Sequence, residues 1–227
     1  MKTPLFIDIE AIDRGGKTTC IARAVANLRA LGWSVGQIAY PDREAPVTGV
    51  LIDDFLRDQM DPASLESLGG NYELVKNIMG QEMFCLNRRE VSPKLEYALA
   101  THQIVISSRY QLSGRVYGEG LGIPAAQMAA QIGALEPGLR QPDATLVMDI
   151  DPQAVANRPR EGGLDRHERD FGLQERVAAG FRHYAQTDPT IILIDASGNE
   201  AEVEAALMSM LFKVYPELQS GPDLPKP

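Results

Sequence analysis

This 227-residue chain has only three histidines and two cysteines, and Cys20 and Cys85 stand in no metal-like spacing. That scarcity excludes a disulfide framework and gives no sign of a zinc site. Long apolar runs are missing too. The N-terminal "MKTPLFIDIE" meets charge after a handful of apolar residues, too few for a signal-peptide core or a membrane span. Basic residues are in deficit: 22 Lys and Arg against 31 Asp and Glu leave a formal charge of -9. Such a field repels polyanions, so no nucleic acid and no membrane is expected as a partner. Any anionic small molecule must be held by local cations, and a soluble, cytoplasmic protein is expected.

The apolar content is instead spread over short β-rich runs: "PLFIDI" (4–9), "SVGQIAY" (34–40), "QIVISS" (103–108), "ATLVMDI" (144–150) and "TIILID" (190–195). Nearly continuous apolarity marks strands buried on both faces, the pattern of a parallel sheet covered by helices in the α/β class. Between them, "TTCIARAVANLRALG" spaces apolar residues by three and four and stops at Gly32. Helical patterning also covers about 73–99, with an interruption at Ser92-Pro93, then 169–185 and 200–212. The length suits one domain, taken as 1–213. Within it, 152–168 carries Pro159, Gly162, Gly163 and several cations, and has the composition of a hinged lid. The proline-rich tail 214–227 is expected to fray.

After the first strand comes "EAIDRGGKTT", with Gly15, Gly16, Lys17, Thr18 and Thr19 opening a helix. A phosphate-binding loop uses such backbone amides around phosphoryl oxygens, a lysine for the β/γ-phosphates and a Ser/Thr hydroxyl for Mg²⁺. Ala11 stands where that motif has its first glycine. A Cβ there costs about 1 kcal/mol only if the backbone needs positive φ. Three further segments set an arginine beside an aromatic residue: "YPDREAPVTG", "MFCLNRRE" and "SSRYQLSGRVYGEG". Ligands of an open parallel sheet bind beyond the carboxyl ends of its strands, where these segments emerge, so the arginines suit a second phosphate group.

Taken in order over roughly residues 4 to 212, these pieces resemble the thymidylate kinases, which transfer the γ-phosphoryl group of ATP to dTMP. The loop pattern E-G-x-D-x-x-G-K-[ST]-T is met by Glu10, Asp13, Gly16, Lys17, Thr18 and Thr19. Tyr40-Pro41-Asp42-Arg43, Met83 to Arg88, Ser108-Arg109-Tyr110 with Ser113 and Tyr117, Asp165 to Glu168, and Ile194 to Ser197 match the later motifs. The resemblance implies a three-layer P-loop fold with a five-stranded parallel sheet, flanking helices and a short lid. It implies ATP and Mg²⁺ as cofactors, dTMP as acceptor, and a homodimer.

Roles follow by the same resemblance. Lys17, the loop amides of Gly15 and Gly16, Thr19 and Ala196 belong to the ATP side, and Thr18 to Mg²⁺. Asp13 approaches the acceptor 3′-hydroxyl, and Arg14 is a loop cation for the transferring group. Arg43 and Arg109 grip the acceptor phosphate beside Tyr40 and Ser113, Phe84 stacks on the base, Arg88 meets its O4 edge, and Tyr117 crowds the 2′ position. Arg158, Arg160 and Arg166 close over ATP. Ser108 replaces the aspartate expected beside the metal, and Val116 replaces an alanine; both bear on rate and substrate. Competing readings are a kinase for another pyrimidine deoxynucleotide or a deoxynucleoside, and a nucleotide-binding pseudoenzyme.

Overall fold

The computed structural model describes residues 3–59, 71–156, 158 and 163–222. Strands β1 (Leu5–Ala11), β2 (Val35–Ala39), β3 (Ile104–Ser108), β4 (Ala144–Asp149) and β5 (Ile191–Asp195) form one parallel sheet. Their order is β2-β3-β1-β4-β5, which puts β1 at the centre. All five lie where the apolar runs predict them.

Alternation along β1 decides what each face holds. Ile7 and Ile9 cluster with Ala24, Val25 and Leu28 of α1 (Lys17–Ala30) and with Leu207 and Leu211 of α10 (Glu200–Val214). Phe6 clusters instead with Val105 and with Leu95, Ala98 and Leu99 of α4 (Ser92–Thr101). Asp8 and Glu10 share the face of Phe6 and are fully buried. Two acids in a central strand contradict its hydrophobic logic, and the site below explains one of them.

The remaining helices are α2 (Thr48–Leu56), α3 (Tyr72–Glu90), α5 (Gln111–Gly120), α6 (Ala125–Leu135), α7 (Pro152–Val155), α8 (Arg166–Arg169) and α9 (Phe171–Thr187). The predicted interruption at Ser92-Pro93 is the break between α3 and α4, with Pro93 in the first turn of α4, where its missing N–H costs nothing. Asp170 caps α9, and Asn199 with Glu202 forms a capping box on α10. Past residue 214 the chain stays packed as far as 222: Pro216–Ser220 is a 3₁₀ turn, Leu218 is buried, and its carbonyl accepts from Trp33 Nε1 at 3.0 Å. The fraying expected from 214 therefore does not describe this segment, because an apolar anchor and an indole donor hold it.

Candidate active site

Beyond the carboxyl ends of β1, β2 and β3 lies an open cleft of about 650 Å³. Residues 12–19, Tyr40, Arg43, Phe84, Arg88, Arg109, Ser113, Tyr117 and Arg158 border it, so most of the predicted residues are brought together.

The loop answers the Ala11 question. Ala11 is the last residue of β1, paired with Met148, and its φ is not left-handed. The positive angles fall later, at Arg14 (61°) and Gly16 (84°). A Cβ on Gly15 would stand 3.1 Å from the Ala11 methyl, so close approach needs the glycine at 15. Gly16 ends the loop as the N-cap of α1 without a side-chain cap, an arrangement suited to anions at the helix start. Lys17 Nζ donates to Ser108 Oγ at 2.8 Å. Burial, reinforced by the nearby Arg109 charge, pushes its ammonium down to about 7.

Opposite the loop, Arg109 sits at φ 68°, a left-handed angle that costs a non-glycine residue roughly 1–3 kcal/mol. Its N–H donates to Ile9 O at 3.1 Å, its guanidinium pairs with Asp13, and it stands 5.3 Å over the Tyr117 ring. Asp13 also accepts from the Tyr117 hydroxyl and from Gln174 Nε2, both at 2.9 Å. Burial opposes its ionisation, but Arg109 and these donors outweigh burial and hold the carboxyl below its usual range. Glu10 accepts from the N–H groups of Tyr110 (2.9 Å) and Ser113 (3.0 Å) and from Ser113 Oγ. A carboxylate of β1 thus caps the start of α5 and aims it at the loop. This accounts for the buried Glu10 and commits the Ser113 hydroxyl. Asp8 accepts from Ser107 Oγ at 2.7 Å, and burial together with Glu10 holds its pKa well above the usual range.

On α3, Phe84 and Arg88 are one turn apart and face the cleft together. Arg88 is buried against Glu136, with Nε and Nη2 donating to Oε1 at 2.8 and 2.6 Å. Gly114 leaves it room: a Cβ there would meet Nη2 at 2.7 Å. Arg43 pairs with Asp53 at the cleft's rim.

The chain at Ala156 and Arg158 is tied to the loop from both directions. Arg14 Nη1 donates to the carbonyls of Ala156 (2.9 Å) and Arg158 (3.0 Å), and Arg158 Nη1 returns a bond to Arg14 O at 3.0 Å. Asp165 and Glu168 form a capping box on α8. Arg166 does not border the cleft. It lies 4.5 Å over the Phe55 ring and donates to Asn77 at 3.1 Å. Ala196, behind β5, is buried and away from the cleft lining, and Arg160 lies outside the described residues. Two cleft residues receive no role from the sequence, Gln81 and His167, whose ring lies 5.5 Å from that of Tyr117, and neither does Gln174, which stands outside the cleft lining and clamps Asp13. Burial pushes the His167 imidazole down to about 4, so it is neutral at pH 7.

A loop for phosphates facing a cluster of arginines, an aromatic platform and an acid is the arrangement of a two-nucleotide kinase, and the comparisons agree. The thymidylate kinase family profile matches residues 9–207. A thymidylate kinase of Deinococcus radiodurans is 33% identical over 91% of this chain and 96% of its own length. One from Idiomarina loihiensis is 29% identical over 89% and 94%. The solved thymidylate kinase of Candida albicans superposes with a TM-score of 0.70 at 25% identity, covering 93% of this chain and 92% of that one. With the profile spanning the loop and both arginine-bearing strand ends, the chain belongs to the thymidylate kinase family.

Proposed function

We propose that this protein transfers the γ-phosphoryl group of ATP to dTMP, giving dTDP and ADP. The observation that carries the reading is the single cleft in which Lys17 and the loop face Arg109, Phe84 and Arg88. Phosphoryl transfer asks mainly for positioning and charge neutralisation, with little covalent work from the protein. Lys17 and the amides at the start of α1 hold the donor phosphates. Arg109 and Arg43 bind the acceptor phosphate, Phe84 carries the base, and Asp13, steadied by Tyr117 and Gln174, receives the sugar hydroxyl. Arg14 and Arg158, linked through their carbonyls, bring lid and loop together so that both cations reach the transferring group. Attack is in line by an acceptor phosphate oxygen on the γ-phosphorus.

Among the described residues no group of three or more His, Cys, Asp or Glu could hold a metal ion. That donor set fits Mg²⁺ carried chiefly by phosphate oxygens and water, with the exposed Thr18 hydroxyl as its protein ligand and Ser108 beside it. When bound, Mg²⁺ neutralises charge on the donor phosphates. Apolar Val50, Leu51 and Leu86 are exposed on the neighbouring helices α2 and α3, which supports the homodimer this family commonly forms. No helix among the described residues is long and apolar enough to cross a membrane. We read 1–213 as one kinase domain with its lid at 152–168.

The test is ADP release from ATP with dTMP, dUMP, dCMP and thymidine as acceptors. Preference for dTMP supports the reading, whereas turnover of thymidine but not dTMP rejects it.

A further inference from the structure

Most polar groups on the acceptor side of the cleft already have partners. Ser113 Oγ donates to Glu10, the Tyr117 hydroxyl to Asp13, and Arg88 spends Nε and Nη2 on Glu136. The Tyr40 and Tyr110 hydroxyls are buried without a partner, and beside them one amide has both of its polar atoms unpaired. Gln81 is 1% exposed and borders the cleft, yet neither its Oε1 nor its Nε2 has a hydrogen-bond partner. Burying both halves of an amide unpaired is costly, and natural structures rarely do so unless something completes the bonds.

Its position says what that something is. Gln81 precedes Phe84 by three residues and Arg88 by seven, so all three lie on one face of α3. That face runs along α5. Asn77 Nδ2 reaches Leu121 O at 3.3 Å, and Arg88 Nη1 reaches Tyr110 O at 3.4 Å, which brackets Gln81 between the two contacts. A base stacked on Phe84 therefore has Arg88 at one end and Gln81 toward the other. Arg88 brings only donors, whereas a glutamine amide brings one donor and one acceptor. A 2,4-dioxopyrimidine presents O4, N3–H and O2 in sequence along one edge. Arg88 suits O4, and the amide suits the remaining pair, with Oε1 accepting from N3–H and Nε2 donating to O2. Cytosine would set its amino group against the donors of Arg88 and offers no N3–H.

We propose that Gln81 is a specificity-determining residue of this kinase that reads N3–H and O2 of the acceptor base and so selects thymine over cytosine. This deepens the dTMP kinase reading and rests on it.

The test compares the full-length protein with Gln81→Leu, which keeps the volume and removes both polar atoms; Gln81→Met takes its place if the leucine variant does not fold. Steady-state kinetics are measured with dTMP and dCMP at saturating Mg·ATP, and then for ATP. The expected loss in kcat/KM for dTMP is on the order of 10- to 100-fold, mostly through KM, with KM for ATP changed less than about twofold. The preference for dTMP over dCMP should narrow by about tenfold. Equal losses for both nucleotides, a matching rise in KM for ATP, or unchanged dTMP kinetics would each overturn the proposal. If the unmodified protein turns over neither acceptor, the kinase reading fails separately, and equilibrium binding of dTMP and dCMP to both proteins still decides the role of Gln81: selective loss of dTMP supports it, and no difference or no binding rejects it.

Discussion

Glu136→Gln is the sharpest probe of how the acceptor side is built. The Arg88 and Glu136 side chains are 4% and 0% exposed, and among the described residues Glu136 is the only acid paired with that guanidinium. Its other carboxylate oxygen accepts from Gln111 Nε2 at 2.6 Å. Gln is isosteric, so the substitution leaves volume intact and strands a buried cation. Breaking a buried pair in this way costs about 3–5 kcal/mol. For a chain of this size each kcal/mol lowers Tm by about 2–4 °C, so a fall of about 6–20 °C is expected. Replacing both partners, as Arg88→Met with Glu136→Leu, removes the charge along with its partner and should destabilise less than Glu136→Gln alone. Urea and thermal unfolding measure the stabilities, and KM for dTMP, which should rise in both variants while KM for ATP holds, measures the site. A Glu136→Gln protein within about 1 kcal/mol of the parent, or a double variant less stable than the single one, would refute this account of the pair.

Ser108→Asp sets a carboxylate against Lys17 and beside the metal position; it should raise Mg²⁺ affinity or kcat/KM by about 10–100-fold, read by Mg²⁺ titration of activity, and no gain in either would show the aspartate dispensable here. His167, neutral with its pKa pushed from 6.5 to about 4, binds fewer protons folded than unfolded between those values. The His167 contribution to stability should therefore fall as pH drops from 6.5 toward 4, while the raised Asp8 carboxyl contributes in the opposite sense, and His167→Phe should remove the His167 part of the slope in urea melts at several pH values; an unchanged slope contradicts the assigned burial. The Asp13 contribution is lost only below 3.8, outside that window.

Apolar runs made the sheet readable because a strand buried on both faces has no polar alternation to confuse with a helix. The loop and the arginines were readable because each motif is local. What escaped were contacts made only by tertiary folding. Arg88 meets Glu136 across 48 residues, and Asp13 meets Gln174 across 161. Nothing near Glu136 in sequence marks it as an ion-pair partner. Gln81 and His167 look ordinary along the chain, and only their burial without partners singles them out. Ala11 looked like a defect because the motif assigns glycine there, whereas the backbone places its left-handed turns at Arg14 and Gly16. Arg166 was legible as a lid cation, yet packing over Phe55 turns it from the cleft.

The central claim is that one cleft holds both nucleotides and passes a phosphoryl group directly between them. Phosphorus-31 NMR of ATP, Mg²⁺ and dTMP with the unmodified protein, run beside Lys17→Ala, tests it most directly. The account predicts matched growth of dTDP and ADP resonances with the parent and none with Lys17→Ala. Growth of inorganic phosphate in place of dTDP, no reaction in the parent, or equal turnover without Lys17 would contradict it.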